Sequence, residues 1–256
     1  MSPKIANQAL RRRWSGIALI AVPVVATVWL GLTDQLILYI HPRYVVFTLI
    51  MGLIALVLIV SSFVQRPDDD HDHQEPRGRL RGILAGTGGV VVVVLAVAML
   101  AIPPATLSSA TVAQRDINGS ALGNNRKSIA QASSASASAS AKFTVLDWSS
   151  LLRQTSDPAF YANKPADVVG FISPDPDDPA NVFYVSRFVI TCCAVDAQPV
   201  GVPVYLPNWT GTFKKDQWVR VTGAFATNPS STSRQQLALG VDAIAAVPKP
   251  KAPYLY

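Results

Sequence analysis

Glutamate is all but missing from this chain: of its 16 acidic residues only Glu75 is not Asp. Histidine occurs three times and cysteine twice, and no histidine follows His73. The rest of the chain therefore lacks an imidazole base, which excludes Ser–His or Cys–His catalysis there. No CxxC pair, HExxH, Walker loop or nucleophile elbow is present either, so the sequence predicts a protein that is not an enzyme. Charge is scarce, at 15% of residues against 50% hydrophobic. A mean hydropathy of +0.29 over 256 residues is too high for an ordinary soluble protein.

What is present is unevenly placed. The long apolar runs all precede Ala105, and three of them approach the roughly 20 residues needed to cross a bilayer. They extend from about Trp14 to Leu32, Tyr44 to Val64 and Ile83 to Ile102. The middle run carries no charge. The first contains Pro23, which is expected to kink it. The third opens on Gly86, Gly88 and Gly89, small residues that let helices pack closely in lipid, and stops at Pro103-Pro104. A tight turn is expected at His41-Pro42. Three buried helices of a soluble core are disfavoured because the runs have no polar face. A cleaved signal peptide fits the basic start, but two further spans favour a multi-pass protein with the first span retained.

The net charge of +6 does not read as a nucleic-acid signal. Basic residues cluster beside the apolar runs, at Lys4 and Arg11 to Arg13 and again at Arg66, Arg77, Arg79 and Arg81. The turn between the first two spans has only Arg43. By the positive-inside rule the N-terminus and the 65–82 loop are cytoplasmic, and everything after Pro104 is extracytoplasmic.

Residues 105–141 read as a flexible linker, because the alternation QASSASASASA has nothing large enough to bury. The stretch 142–248 reads as a small β-rich domain. It opens with a short helix in FTVLDWSSLLRQT, for which Asp147 is a candidate N-cap. Five strand-like runs come next: DVVGFIS, NVFYVSRFVITCC, GVPVYL, QWVRVTGAF and LALGVDAIAAV, separated by turn formers. Their number and order suggest an OB-like barrel, with a β-sandwich as the alternative. OB barrels often bind oligonucleotides, but the near-balanced charge of this domain argues against it. Residues 249–256 read as a frayed tail.

Two features carry candidate chemistry. Cys192 and Cys193 are adjacent, and Asp196 is close enough in sequence to add an oxygen; thiolates bind soft metals, and vicinal thiols can pair in an oxidising compartment. Strand alternation would send the two side chains to opposite faces, so joint action requires a bend or bulge. Arg187, on the strand leading to the pair, is a candidate charge beside it, against the plainer reading of a solvated strand arginine. The second feature is the loop PDDDHDHQE, where Asp68, Asp70, His71 and His73 offer ligands for a divalent metal ion, against the plainer reading of a solvated acidic loop.

The phrases YIHPR, IPPATLSS and SRFVITCCAVDAQPVGVPV followed by WVRVTG resemble the YcgQ-like family of bacterial membrane proteins. Members are described as subunits of a two-component membrane permease, beside a multi-span partner of the YraQ-like type. The resemblance covers the membrane region and the outer domain and leaves the Ser/Ala stretch as an insert. Its histidine-rich loops are longer than the two-histidine loop here. It implies an accessory permease subunit in the bacterial cytoplasmic membrane, with the spans packed on a multi-span partner and Cys192, Cys193, Asp196 and Arg187 facing substrate or partner. The alternative is a stand-alone, membrane-anchored protein that responds to metal or thiol ligands.

Overall fold

The computed structural model describes residues 17, 20–64, 94, 107–119 and 129–256, and the chain divides into two compact units, Met1–Ala105 and Thr106–Tyr256. The expected third span, with Gly86, Gly88 and Gly89, and the loop bearing Asp68, Asp70, His71 and His73 lie outside the described residues.

In the first unit, helix α1 (Ile20–Leu32) is followed by a turn and helix α2 (Pro42–Val64). The turn holds Asp34 in the left-handed region (φ 56°) and a 3-10 segment over Leu36–Leu38. Pro42 opens α2, where its fixed φ suits the first turn and its missing N–H is not needed. Helix α1 runs through Pro23 without interruption, and the Thr27 hydroxyl donates to the Pro23 carbonyl (2.8 Å).

Over Pro42–Ser62, α2 is long and apolar enough to cross a membrane, and by this measure it alone qualifies among the described residues. Its 23 residues span about 35 Å at 1.5 Å each, against about 30 Å of hydrocarbon. Val46, Phe47, Leu53, Val57, Leu58 and Val60 are all exposed around it, which water would oppose and lipid or another helix would satisfy. The two helices meet at their glycines. A Cβ on Gly31 would overlap the Leu49 side chain, and one on Gly52 would lie 3.0 Å from Val28 Cγ2. As one helix is traced upward in number the other runs downward, so the pair is antiparallel.

Among the described residues, the second unit carries a mixed six-stranded sheet and five short helices. The strands are β1 (Ala166–Pro174), β2 (Val182–Val189), β3 (Gln198–Tyr205), β4 (Trp218–Thr227), β5 (Leu237–Ala246) and β6 (Tyr254–Leu255). Strand β1 pairs antiparallel with β4 through Ala166–Phe171 and with β2 through Phe171–Pro174. Strand β2 pairs antiparallel with β3, β3 pairs parallel with β5, and β5 pairs antiparallel with β4. Traced in the order β1–β2–β3–β5–β4, the pairings return to β1. All five expected strands are present, each within a few residues of its apolar run. Alternation holds in β4, where Val219, Val221 and Phe225 are buried between exposed Arg220 and Ala224.

The helices of this unit are α3 (Ser109–Val112), α4 (Ile129–Ser133), α5 (Ala137–Ser140), α6 (Val145–Gln154) and α7 (Pro158–Tyr161). Helix α6 is the expected helix with a different cap. Thr144, not Asp147, is the N-cap: its Oγ1 accepts from the Asp147 amide (3.2 Å), while Asp147 Oδ2 accepts from the Thr144 amide (2.8 Å). This reciprocal box satisfies two donors, which a lone Asp cap cannot do. The helix buries Val145, Trp148 and Leu151 on one face. Trp148 packs on Phe143, Tyr161 and Phe225 at centroid distances of 5.2, 6.3 and 4.9 Å. Each such side chain contributes about 1.5–3 kcal/mol by leaving water.

Two expectations are corrected here. The Ser/Ala stretch is not all linker: α4 and α5 fold from it, and Ala132 and Ser140 are fully buried. Smallness, which prevents these residues from building a core, lets them sit tightly against one. The C-terminal residues do not fray: β6 pairs parallel with β2, and the Tyr254 ring is buried.

Candidate functional site

Strand β2 ends at Val189, and the residue after it anchors the chain before the cysteines. Ile190 is buried and its amide donates to the Leu255 carbonyl (2.9 Å). The chain then turns outward through Thr191, Cys192 and Cys193 into a 3-10 turn, Ala194–Asp196, before β3 begins. Asp196 makes this turn. Its Oδ1 accepts from the Thr191 amide (3.1 Å), and its Oδ2 accepts from the Cys192 and Cys193 amides (2.7 and 3.2 Å). The Asp196 amide in turn donates to the Cys193 carbonyl (3.0 Å). An aspartate side chain is short enough to gather backbone donors of its own turn in this way.

The consequence for the thiols is geometric. Both cysteines follow the end of β2 at Val189, so the pleat of that strand no longer sets them on opposite faces, and the required bend is present. One ligand atom from each of Cys192, Cys193 and Asp196 lies within 4.8 Å of the others. Both cysteines are free thiols, Cys192 exposed and Cys193 half-buried. The Cys192 thiol is pushed above its ordinary range, first by desolvation and then by the neighbouring Cys193 sulfur and the Asp196 carboxylate.

The loop is braced from outside as well. The Arg115 guanidinium, from the segment after α3, donates to the carbonyls of Ala197 and Val195, the latter at 3.2 Å. Three residues on, Asn118 and Gly201 exchange hydrogen bonds of 2.8 and 2.9 Å, and the Asn118 amide donates to the Pro199 carbonyl (3.0 Å). Between the cysteines and β3, Val195 projects into solvent at 83% exposure.

Arg187 is not at this site in the role expected. Its Nε donates to the Pro253 carbonyl (3.1 Å) and its Nη2 to the Ala252 carbonyl (2.5 Å), while its guanidinium lies 5.7 Å from the Trp218 ring centroid. Burial lowers its pKa from the usual arginine value. It fastens the C-terminal strand, and it is neither solvated nor turned to the thiols. The turn after Ile190 explains this, because proximity along the strand ceases to be proximity in space. Sequence reading missed Arg115 because it sits in a stretch that reads as linker. It also missed Gly31 and Gly52, whose contacts are the small-residue packing expected at Gly86, Gly88 and Gly89. Glycines within apolar runs were the available signal.

The donor set suits a soft cation better than a hard one, since two of its three atoms are sulfur. Asp196 has about four lone-pair positions and already accepts three bonds. The loop can thus hold a metal ion through two thiolates, or close a vicinal disulfide with an external oxidant.

Comparison with known families gives two matches in sequence order. The DUF1980 N-terminal domain matches residues 15–118, and the DUF1980 C-terminal domain matches residues 123–256. No curated protein and no solved structure matches. The C-terminal match alone covers more than half of the 256 residues, and with the N-terminal match it shows that the chain belongs to the DUF1980 family.

Proposed function

We propose that this chain is a membrane-anchored binding subunit that captures a soft metal ion or thiol ligand through Cys192 and Cys193 on an extracytoplasmic domain. It acts by binding and not by catalysis, as accessory to a multi-span permease in the bacterial cytoplasmic membrane. The observation that carries the reading is the prebuilt turn, which brings two sulfurs and a carboxylate within 4.8 Å on an accessible loop.

Several features support the rest. The apolar surface exposed around α2 needs lipid or a partner helix, and antiparallel packing of α1 on α2 supports more than one span. Basic flanks on the N-terminus and on the 65–82 loop support a cytoplasmic start and an outer C-terminal domain. The cyclic pairing of five strands, with β3 parallel to β5, supports an OB-type barrel. In such a barrel the β1–β2 and β4–β5 loops usually take the ligand. Here they are tied together by Asp177–Arg234, Asp178–Ser230 and Asp175–Ser233, which favours the β2–β3 loop, where the thiols lie. The permease partner rests on the YcgQ-like resemblance.

Elemental analysis of the full chain, purified in detergent after exposure to soft metals under reducing conditions, tests the binding role. About one equivalent per chain is expected, with loss of uptake in Cys192→Ser/Cys193→Ser. Equal uptake by the double variant would refute it. A stand-alone metal- or thiol-responsive protein shares this site and differs in its partner. Mild-detergent capture from native membrane separates the two: a permease recovered near one-to-one supports the subunit, and a solitary protein supports the stand-alone form.

A further inference from the structure

We infer that the loop takes a soft, low-coordinate monovalent cation of the Cu(I) class through Cys192 Sγ and Cys193 Sγ alone, with Asp196 remaining the backbone cap and not a ligand. This deepens the proposed binding role and rests on it.

The number of donors limits the choice of ion. Among the described residues the clustered ligands are two thiols and one carboxylate. Zinc takes four ligands in its structural sites, and calcium or magnesium needs a cage of oxygens, so each would need donors that this cluster lacks. A two-coordinate ion needs only the sulfurs. Two metal–thiolate bonds of about 2.3 Å laid in line span about 4.6 Å. The two sulfurs lie no farther apart than 4.8 Å, so one ion can reach both.

Asp196 is already committed elsewhere. Its two oxygens hold the amides of Thr191, Cys192 and Cys193, and those bonds shape the turn that follows β2. With three of its roughly four lone-pair positions taken, rotating the carboxylate onto a metal would strain the bonds that position the two sulfurs. The cap and the ligand role therefore compete, and the cap is the role that creates the site.

Charge points the same way. On capture two S–H protons pass to water, and two thiolates around a monovalent ion leave a net charge of −1. A carboxylate beside that anion repels it, whereas it would favour a dipositive ion. The Arg115 guanidinium, bonded to Val195 and Ala197 on the same loop, supplies the compensating positive charge.

The test uses the full chain in detergent, reduced and anaerobic, with Cu(I) and Zn(II) each titrated against a competing chromophoric chelator. Wild-type protein should bind Cu(I) at least roughly 1,000-fold more tightly than Zn(II), and Cys192→Ser or Cys193→Ser should each weaken Cu(I) by about 100-fold. Asp196→Asn keeps one acceptor oxygen for the turn and removes the charge. Because part of the cap is lost while both sulfurs remain, it should lower Cu(I) affinity by less than either cysteine substitution does. A 100-fold loss in Asp196→Asn with its thermal melt unchanged, or Zn(II) bound as tightly as Cu(I), would overturn the inference while leaving a metal site in place. The wild-type comparison of the two ions does not depend on any variant folding. Absence of uptake of either ion would remove the binding role itself.

Discussion

Aspartate is the residue through which this domain shapes its loops, and the near absence of glutamate accords with that use. Asp196 gathers three amides in the thiol loop, Asp157 caps α7, and Asp175 Oδ1 accepts from the amides of Asp177 and Asp178. A side chain one methylene longer would overshoot donors this near in sequence. Two further carboxylates, on the residues whose amides Asp175 gathers, are held acidic. Asp177 sits below the usual range because the Arg234 side chain donates to it, and Asp178 because the Ser230 hydroxyl does. Depressed folded values mean stability that is present above the unfolded carboxylate range, near pH 4, and lost as pH falls through the lower folded values. Carboxyl NMR titration should place both midpoints below ordinary Asp, with Arg234→Ala moving Asp177 upward and Asp178 little. An Asp177 midpoint unchanged by that substitution would show that the bidentate pair, with bonds of 2.9 Å, does not persist in solution.

At the scale of elements, the C-terminal strand controls the base of the site. Leu255 accepts from the Ile190 amide, two residues before Cys192, and Arg187 grips the carbonyls just upstream of the strand. Arg187→Ala should cost about 2 kcal/mol, since charged donors to carbonyls are worth about 1.5–3 kcal/mol. Hydrogen exchange at Ile190 should quicken by roughly tenfold, whereas exchange in the β4–β5 ladder should track only the global loss. Unchanged exchange at Ile190 would show that the strand holds without this clamp. This element was illegible in the sequence because KPKAPYLY is short and broken up by Pro and Lys, and its pairing depends on Arg187 and Ile190 more than 60 positions away. The five main strands were legible because each is an apolar run bounded by turn formers. Helix α6 was legible by its spacing, and its cap was misplaced because Thr144 and Asp147 both suit an N-terminus. Adjacent cysteines were visible as a motif, but their shared orientation was not. It arises from a turn built by Asp196 and braced by Arg115, contacts that no local pattern announces.

For the whole molecule, the proposed function joins a membrane anchor to an outer domain that displays two thiols. The apolar helix, the packed hairpin and the DUF1980 matches over both units bear on that arrangement. The chain has only two cysteines, so a thiol label reports on one place in the molecule. The most direct test is labelling of spheroplasts with a membrane-impermeant maleimide, with and without prior Cu(I). The full chain should label before lysis, Cys192→Ser/Cys193→Ser should not label, and Cu(I) should suppress the wild-type signal. Labelling only after lysis would contradict the outward domain, and labelling indifferent to Cu(I) would contradict the thiol pair as the binding site.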